Sequence, residues 1–293
     1  MSDLLPGTLV DQSWLAAHLG DPRLAVLDAT ALLPSPRHDG DHRVGSGRTL
    51  WAEGHIPGSR HADLTADLSD GTAPVHFAVP APAALAAALQ RLGVHDGSSV
   101  VVYDQGGGIW AARLWWMLRS LSVPAAVLDG GWDAWQAAGH PTAPGSGDET
   151  PVRQEGVLSP RPRPELWSGV DQADAVSRGD RPGVLVCALP TAGFDGTAPT
   201  RYSRRGRIPG SRSLPGRGLL DETGRFLPRA ELAARVGAVL TAADSPVILY
   251  CGGGISACGA ALALTLLGRE DVSVYDGSME EWSKDPSRPL ELG

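Results

Sequence analysis

The sequence has 293 residues but only one lysine, Lys284; its other strongly basic side chains are all arginine. Two kinds of chemistry depend on a lysine at a defined place. A Walker-type phosphate loop ends in lysine followed by serine or threonine, and Schiff-base catalysis needs an amine beside the substrate. Both classes of protein therefore have almost no candidate residue in this chain.

Long apolar runs are absent as well. No stretch reaches the roughly 18 residues that a membrane-spanning helix needs, and the N-terminus lacks the basic segment followed by an apolar one that marks a secretion signal. We therefore expect a cytoplasmic protein that contacts no membrane. Acidic residues outnumber basic ones by 33 to 25, and this negative balance argues against a nucleic-acid partner.

Cysteine is scarce. The three cysteines, Cys187, Cys251 and Cys258, form no CxxC pair. An odd number without paired spacing argues against a disulfide framework and against a structural zinc site. We therefore predict no metal, and the count leaves room for a single reactive thiol in a reducing compartment.

The sequence does contain an internal repeat. Three segments recur in the same order: IPGSR at 56–60 and 208–212, an apolar run leading into glycines and isoleucine at 100–109 and 247–255, and VLDGGWDAW at 127–135 matched by VYDGSMEEW at 274–282. The period is close to half the chain length. A repeat of domain size indicates gene duplication, because the period of a solenoid is only ~20–50 residues.

Each half alternates short apolar runs with helical patterns. The predicted strands are 24–27, 100–103, 127–128, 183–187, 247–250 and 272–275, and the predicted helices are 82–92, 109–121, 229–240 and 256–267. Strands alternating with helices indicate a parallel sheet covered on both faces. We predict an α/β protein of two tandem domains, 1–141 and 165–293, joined by a connection at 142–164 that is rich in Pro, Gly, Ser and Glu.

The second glycine loop has the features of a nucleophile site. It follows a predicted strand and leads into a helix, and it consists of Cys251, Gly252, Gly253, Gly254, Ile255 and Ser256. Ligands of open α/β sheets bind at the carboxyl ends of the strands. Successive glycines let backbone N–H groups point inward and form an anion-binding nest at the positive end of the helix. A cysteine at the start of such a loop is favoured as a thiolate.

Three other functions for this loop lack a residue or a geometry that they need. A Walker loop needs a lysine before the final serine, and here that residue is isoleucine. A cysteine phosphatase needs an arginine about six residues after the cysteine, where this chain has Ala257. A disulfide with Cys258 would have to span about 10 Å along the helix, which is beyond disulfide reach. The loop is better suited to hold a sulfur anion on Cys251.

Several motifs in order resemble the tandem-domain rhodanese family of thiosulfate and 3-mercaptopyruvate sulfurtransferases. They are GHIPGSR at 54–60, VVVYD and AARLWW within 100–116, VLDGGWDAWQAAGHP at 127–141, and YDGSMEEW at 275–282. The loop CGGGISA is similar to the CGSGVTA form of the mercaptopyruvate enzymes more than to the CRKGVTA form of the thiosulfate enzymes.

The resemblance implies two rhodanese-like domains, of which only the second is catalytic. Asp104 stands in the first domain at the position that matches Cys251. It also implies two displacement steps: the Cys251 thiolate takes the sulfane sulfur of a small donor, and the persulfide passes it to cyanide, a thiol or a protein. No metal or organic cofactor is implied.

Family positions that assist proton transfer match Asp63 and His76, but the loop serine beside them is Gly253 here. Relatives also carry two arginines that bind the substrate anion, and these positions are Leu189 and Gly193 here. Of the arginines just downstream, which begin at Arg201, our candidates for contacting a substrate anion are Arg204, Arg205 and Arg207.

Two functions remain open from the sequence. The first is a sulfurtransferase whose donor is thiosulfate, mercaptopyruvate or a protein persulfide. The second is a non-catalytic rhodanese-like module for binding or regulation, which the missing arginines favour. The intact cysteine and glycine loop favour the enzyme.

Overall fold

Two parallel five-stranded sheets form the framework of residues 4–145, 156–241 and 246–293, which the computed structural model describes. From edge to edge the first sheet consists of the strands Leu9–Val10, Ala125–Leu128, Ser99–Tyr103, Leu24–Asp28 and Arg60–His61, and the second of Trp167–Ser168, Val272–Tyr275, Val247–Tyr250, Val184–Cys187 and Arg212–Ser213. Each strand pairs in parallel with its neighbours. The two halves therefore have the same topology, and the predicted α/β fold of two tandem domains is confirmed.

The first half contains β1 (Leu9–Val10), α1 (Gln12–His18), β2 (Leu24–Asp28), β3 (Ala31–Leu32), β4 (Gly45–Ser46), α2 (Arg48–Glu53), β5 (Arg60–His61), α3 (Pro82–Arg91), β6 (Ser99–Tyr103), α4 (Ile109–Ser120), β7 (Ala125–Leu128) and α5 (Gly131–Ala137). The second contains β8 (Trp167–Ser168), α6 (Val170–Ser177), β9 (Val184–Cys187), α7 (Thr191–Phe194), β10 (Arg212–Ser213), α8 (Arg229–Gly237), β11 (Val247–Tyr250), α9 (Ile255–Leu266), β12 (Val272–Tyr275) and α10 (Ser278–Lys284). Strands β3 and β4 form a separate antiparallel pair.

Residues 146–155 of the predicted connection, 142–164, lie outside the described residues. Residues 156–164, the last part of the connection, run along the first domain. The amide of Arg161 donates to Leu121 O and that of Arg163 to Ser120 O, while Leu158 is buried in the core. No helix in the described ranges is both long and apolar enough to cross a membrane.

Helices α4 and α9 pack directly against each other and join the two halves. Helix α4 contributes large side chains such as Trp116 and Leu114, and α9 contributes small ones such as Ala257, Ala260 and Ala261. All belong to one buried apolar cluster that extends from the first sheet to the second. Because each helix begins at its own glycine loop, this packing brings the two loops to the same region of the molecule.

Candidate active site

Cys251 lies between the end of β11 and the start of α9, on the wall of a cavity of about 850 Å³. Its side chain is buried, with 2% exposure. Residues of both halves line the cavity, among them Trp110 from α4 and Tyr202 from the segment before β10. The thiol therefore lies in a cleft between the two domains and not on the outer surface.

Ser278 holds the glycine loop in shape. Its hydroxyl accepts hydrogen bonds from the amides of Cys251 and Gly254, both at 3.1 Å, and donates to Tyr275 O at 2.7 Å. Ser278 has a φ of +48°, which is unfavourable for a side chain with a Cβ. Gly254 ends the loop at φ +76° and begins α9, so a glycine is needed there.

The residues after Ser278 support the loop from the same side. The amide of Met279 donates to Cys251 O at 3.0 Å, and that of Glu280 donates to Gly252 O at 2.8 Å. The loop carbonyls are thus turned toward α10. Since Ser278 takes the amides of Cys251 and Gly254, an anion at the loop would be held by its other N–H groups.

The matching loop of the first domain shows what this backbone binds. The Asp104 carboxylate accepts four backbone hydrogen bonds, from the amides of Gly106, Gly108, Trp110 and Ala111, at 2.7 to 2.9 Å. The first domain therefore has an anion nest filled by its own carboxylate. The second domain has a cysteine at that position, and its loop is one residue shorter.

His76 reaches the loop from the first domain through Glu280. The Nδ1 atom of its ring lies 2.7 Å from Glu280 Oε1, and its backbone amide donates to Oε2 at 3.1 Å. Lys284 Nζ lies 3.3 Å from the same carboxylate. A Cβ on Gly253 would be 3.8 Å from Glu280 Oε2, so this carboxylate lies beside the loop position at which the sequence resemblance places a serine in relatives.

The ring of His42 stacks on that of His76, with 3.6 Å between ring centroids and 11° between planes. Burial and the neighbouring His76 lower the pKa of His42. Among the described residues, His42, His76 and Glu280 form a group whose donor atoms lie within 4.8 Å of one another, as metal ligands can. His76 Nδ1 already bonds Glu280 Oε1 at 2.7 Å, so an ion bound through these atoms would have to displace that hydrogen bond.

The structure does not bring Asp63 to the cavity. Its Oδ1 accepts from the amide and hydroxyl of Thr65, at 2.8 and 2.6 Å. Burial opposes its charge, but hydrogen bonds from Ser46 and Thr65 outweigh that effect and lower the pKa of Asp63. Of the two predicted relay residues, only His76 contacts a residue of the cavity wall, and its carboxylate partner is Glu280.

Arg204, Arg205 and Arg207 point away from the cavity, which corrects their predicted place beside the substrate. Arg204 donates to the carbonyls of Ser283, Asp285 and Arg288. Arg205 pairs with Asp39 at 2.9 Å, and Arg207 bonds the C-terminal segment through Gly293 O and Glu291. The reason is that the chain leaves the cavity after Tyr202 and turns toward the C-terminus. The arginines on the cavity wall are Arg201 and Arg217.

The two remaining cysteines are packed side chains. Cys187 and Cys258 are both fully buried. Burial raises the pKa of each thiol to about 12, so neither is a thiolate at neutral pH. Cys258 donates to Gly254 O at 3.1 Å.

Arg113 of α4 lies beneath the loop, and its side chain is fully buried. It pairs with Asp276 at 2.6 Å and donates to Phe77 O at 2.6 Å. Burial is the largest single effect and lowers the pKa of Arg113, but Asp276 and Cys258 together outweigh it, and the net shift is upward. The guanidinium therefore keeps its charge next to the turn that supports the loop.

Our sequence interpretation missed Ser278, Glu280 and Arg113. Arg113 could have been recognised from the sequence, because an arginine within the apolar run IWAARLWW of a predicted buried helix needs a partner for its charge. Glu280 lies within a recognised repeat, but only the folded chain shows that its carboxylate faces Gly253.

The comparisons with known proteins agree with this geometry. The Rhodanese-like domain family model matches residues 11–138 and 189–285. A probable 3-mercaptopyruvate sulfurtransferase of Pseudomonas aeruginosa is 36% identical over 97% of this chain and 98% of its own. A thiosulfate sulfurtransferase of Gallus gallus is 31% identical over 94% of this chain and 92% of its own.

A similar fold is found in a solved structure. The crystal structure of SseA, a 3-mercaptopyruvate sulfotransferase of Escherichia coli, matches 92% of this chain and 98% of its own, with a TM-score of 0.79 and 32% identity. The chain belongs to the rhodanese family. The names of its relatives confirm the prediction of an enzyme of the sulfurtransferase class.

Proposed function

We propose that this enzyme carries sulfane sulfur as a persulfide on Cys251, from a small donor to cyanide, a thiol or a protein acceptor. One observation supports this most directly. Cys251 opens a glycine loop that matches, one residue shorter, the loop that holds the Asp104 carboxylate with four amides. A persulfide anion on Cys251 would take the place of that carboxylate.

In the first step the Cys251 thiolate attacks the outer sulfur of the donor. A bond forms between the two sulfurs, and the donor's bond to that sulfur breaks with its electron pair. With thiosulfate as the donor, the leaving group is sulfite. With mercaptopyruvate, whose single sulfur is the one attacked, the leaving group is the enolate of pyruvate, which takes up a proton. Relatives are named for each of these donors, and no metal or organic cofactor is needed for either.

The loop Gly252, Gly253, Gly254, Ile255 and Ser256 would stabilise the persulfide between the two steps. Amides at a helix start have no intrahelical acceptor and favour a negative charge at that point. In the second step an acceptor thiolate attacks the outer sulfur, and the electron pair of the broken sulfur–sulfur bond returns to Cys251. Such covalent catalysis gives ping-pong kinetics.

We assign the proton steps to His76 with Glu280. The pair can take the proton of an acceptor thiol or supply one to a departing enolate. In this proposal Asp63, the other predicted relay residue, transfers no proton and only stabilises the turn at Thr65. Arg201 replaces Arg204, Arg205 and Arg207 as the cation for the substrate anion, because it is on the cavity wall.

Intact-mass spectrometry tests the persulfide. After incubation with thiosulfate or mercaptopyruvate, we expect an added mass of about 32 Da on the wild-type protein. The same adduct should form on Cys187→Ala, the matched control, and should be missing from Cys251→Ser. No adduct with either donor on any protein would contradict the proposal.

The loss of arginines at Leu189 and Gly193 favours a second candidate, a non-catalytic module that binds a partner. That function requires no turnover and no dependence on the thiol. Binding that is unchanged in Cys251→Ala, together with absence of the persulfide, would support it over the enzyme.

A further inference from the structure

A second histidine of the first domain, His42, lies closer to the catalytic cavity than His76 does. The cavity wall includes His42, Glu280 and Cys251, whereas His76 is not among the described residues that line it. The side chain of His76 is 48% exposed. Of the two imidazole rings, that of His42 is therefore the one that a molecule in the cavity can contact.

The segment that carries His42 is bonded to both domains. The amide of His42 donates to Gly40 O at 2.9 Å, and the amide of Gly40 donates to Thr200 O in the second domain, also at 2.9 Å. The neighbouring Asp41 side chain is nearly buried and pairs with two arginines of the same segment. The imidazole is thus held at the cavity wall by fixed backbone and does not hang from a free loop.

The ring of His42 is free to take up a proton. Its Nδ1 atom is buried and has no hydrogen-bond partner within the part of the chain that the structure describes. Burial is the largest cause of a lowered pKa at His42; the facing groups His76 and Arg201 act in the same direction, and Glu280 opposes them. The ring is therefore neutral at neutral pH, and a neutral imidazole has one nitrogen that accepts a proton.

A proton on His42 has a short route to solvent through His76. The two rings stack with 3.6 Å between their centroids, and the donor atoms of His42, His76 and Glu280 lie within 4.8 Å of one another. One water molecule can bridge polar atoms at such a separation. His76 Nδ1 bonds Glu280 Oε1 at 2.7 Å, Lys284 contacts the same carboxylate, and the half-exposed ring of His76 opens to solvent.

We propose that His42 is a catalytic residue of the second step, which takes the proton of a thiol acceptor in the cavity and passes it to His76 and Glu280. This inference rests on the proposed function and adds the group that contacts the acceptor. The sulfur of R–SH forms a bond to the outer sulfur of the Cys251 persulfide while its proton moves to a ring nitrogen of His42. The sulfur–sulfur bond of the persulfide breaks, its electron pair returns to Cys251, and R–S–S⁻ leaves.

Two acceptors that differ in their need for a base test this role. An alkyl thiol such as 2-mercaptoethanol must lose a proton, whereas the sulfite dianion attacks without losing one. The persulfide is formed with thiosulfate or mercaptopyruvate, freed of small molecules, and its discharge by each acceptor is followed by intact mass. His42→Phe keeps an aromatic ring against His76 but has no nitrogen. We expect it to lower the thiol-to-sulfite ratio of discharge rates about 10²-fold at neutral pH.

The pH dependence and three further variants separate proton transfer from packing. As the pH rises, the thiol ionises in solution, so the ratio in His42→Phe should approach that of the wild type. His42→Gln, which is polar but takes up no proton, should behave as His42→Phe does. His38→Phe changes an exposed histidine of the same segment and should match the wild type. Adding His76→Phe to His42→Phe should lower the ratio little further, because both residues serve one proton route.

A thiol-to-sulfite ratio that stays at the wild-type value in His42→Phe and His42→Gln would overturn the inference. If both rates fell together, His42 would only shape the cavity; if neither fell, the proton would not pass through it. Either result leaves the persulfide enzyme in place. Failure of the wild-type protein to form the persulfide with both donors would instead contradict the proposed function itself.

Discussion

At the residue scale, the site depends on a glycine and a glutamate that face each other. Gly253 has no side chain, and the carboxylate of Glu280 lies within 3.8 Å of the point where a Cβ would be. Glu280 is nearly buried, at 6% exposure, and accepts from both His76 and Lys284. A buried carboxylate that contacts an imidazole is suited to handle protons in place of a hydroxyl.

Glu280→Gln tests this assignment. A glutamine keeps the shape but removes the negative charge beside the His76 ring, so we expect sulfur transfer to a thiol acceptor to slow by about 10²-fold, the lower end for acid–base catalysis. The pH–rate profile should change with it. Lys284→Met is the matched control, because Lys284 binds the same carboxylate from an exposed position; it should change the rate less than threefold. A wild-type pH profile in Glu280→Gln would contradict the role.

The sequence indicates Cys251 as the candidate nucleophile but not all of its neighbours. Cys251 is recognisable because a cysteine, the glycines after it and the preceding strand are adjacent in the chain. The partner of His76 is not, since Glu280 is 204 positions away and approaches only when the halves pack. For the same reason Arg204, Arg205 and Arg207 looked like substrate ligands, although the turn after Tyr202 directs them toward the C-terminus.

At the scale of elements, long periodic segments were predictable and short ones were not. Helices α3, α4 and α9 begin and end within one residue of their predicted limits, while α8 ends at Gly237 and not at 240. The edge strands β1, β5, β8 and β10 have two residues each. Two residues cannot show an alternating pattern, because the period of a strand is itself two.

Two glycine-to-alanine substitutions, one at the start of α9 and one inside it, should change the stability of the protein in opposite directions. Gly254→Ala should destabilise the protein by about 1–3 kcal/mol, because φ is +76° and the new Cβ would lie 2.9 Å from Arg113 Nη1 and Asp276 O. Gly259→Ala, inside the same helix, meets no atom within 4 Å. It should stabilise by about 0.5–1 kcal/mol, since alanine favours a helix over glycine.

Urea denaturation of the two variants measures both values, and persulfide formation gives a second readout. Gly254→Ala should also lose the adduct, because the loop amides move with the start of the helix. Gly259→Ala should form it as the wild type does. Two variants of equal stability would mean that the left-handed turn at Gly254 does not determine the loop shape.

At the scale of the whole molecule, the first domain is part of the site despite having no cysteine. It supplies His42, His76 and Trp110 to the cavity region, and its Arg113 supports the loop of the second domain. The duplicated topology was predictable from the repeat. The contribution of first-domain side chains to the cavity was not predictable, because it depends on which side chains cross from one half to the other.

A buried arginine–aspartate pair and an exposed one both cross between the halves, and they give a matched test of what joins them. Arg113 and Asp276 lie 2.6 Å apart, with side-chain exposures of 0% and 17%. Arg205 and Asp39 lie 2.9 Å apart, with exposures of 37% and 39%. Removing one partner of a buried pair leaves an uncompensated charge and costs about 3–5 kcal/mol, whereas an exposed pair contributes roughly 0–1 kcal/mol.

We therefore expect Arg113→Met to lower the free energy of unfolding by about 3–5 kcal/mol and Arg205→Met by less than about 1 kcal/mol. The double variant Arg113→Met with Asp276→Asn should recover part of the loss, because no unpaired charge remains. Chemical denaturation measures all three, and hydrogen exchange shows whether α4 and α9 lose protection together. A loss in Arg113→Met no larger than in Arg205→Met would mean that apolar packing of α4 on α9 alone holds the catalytic loop against the first domain.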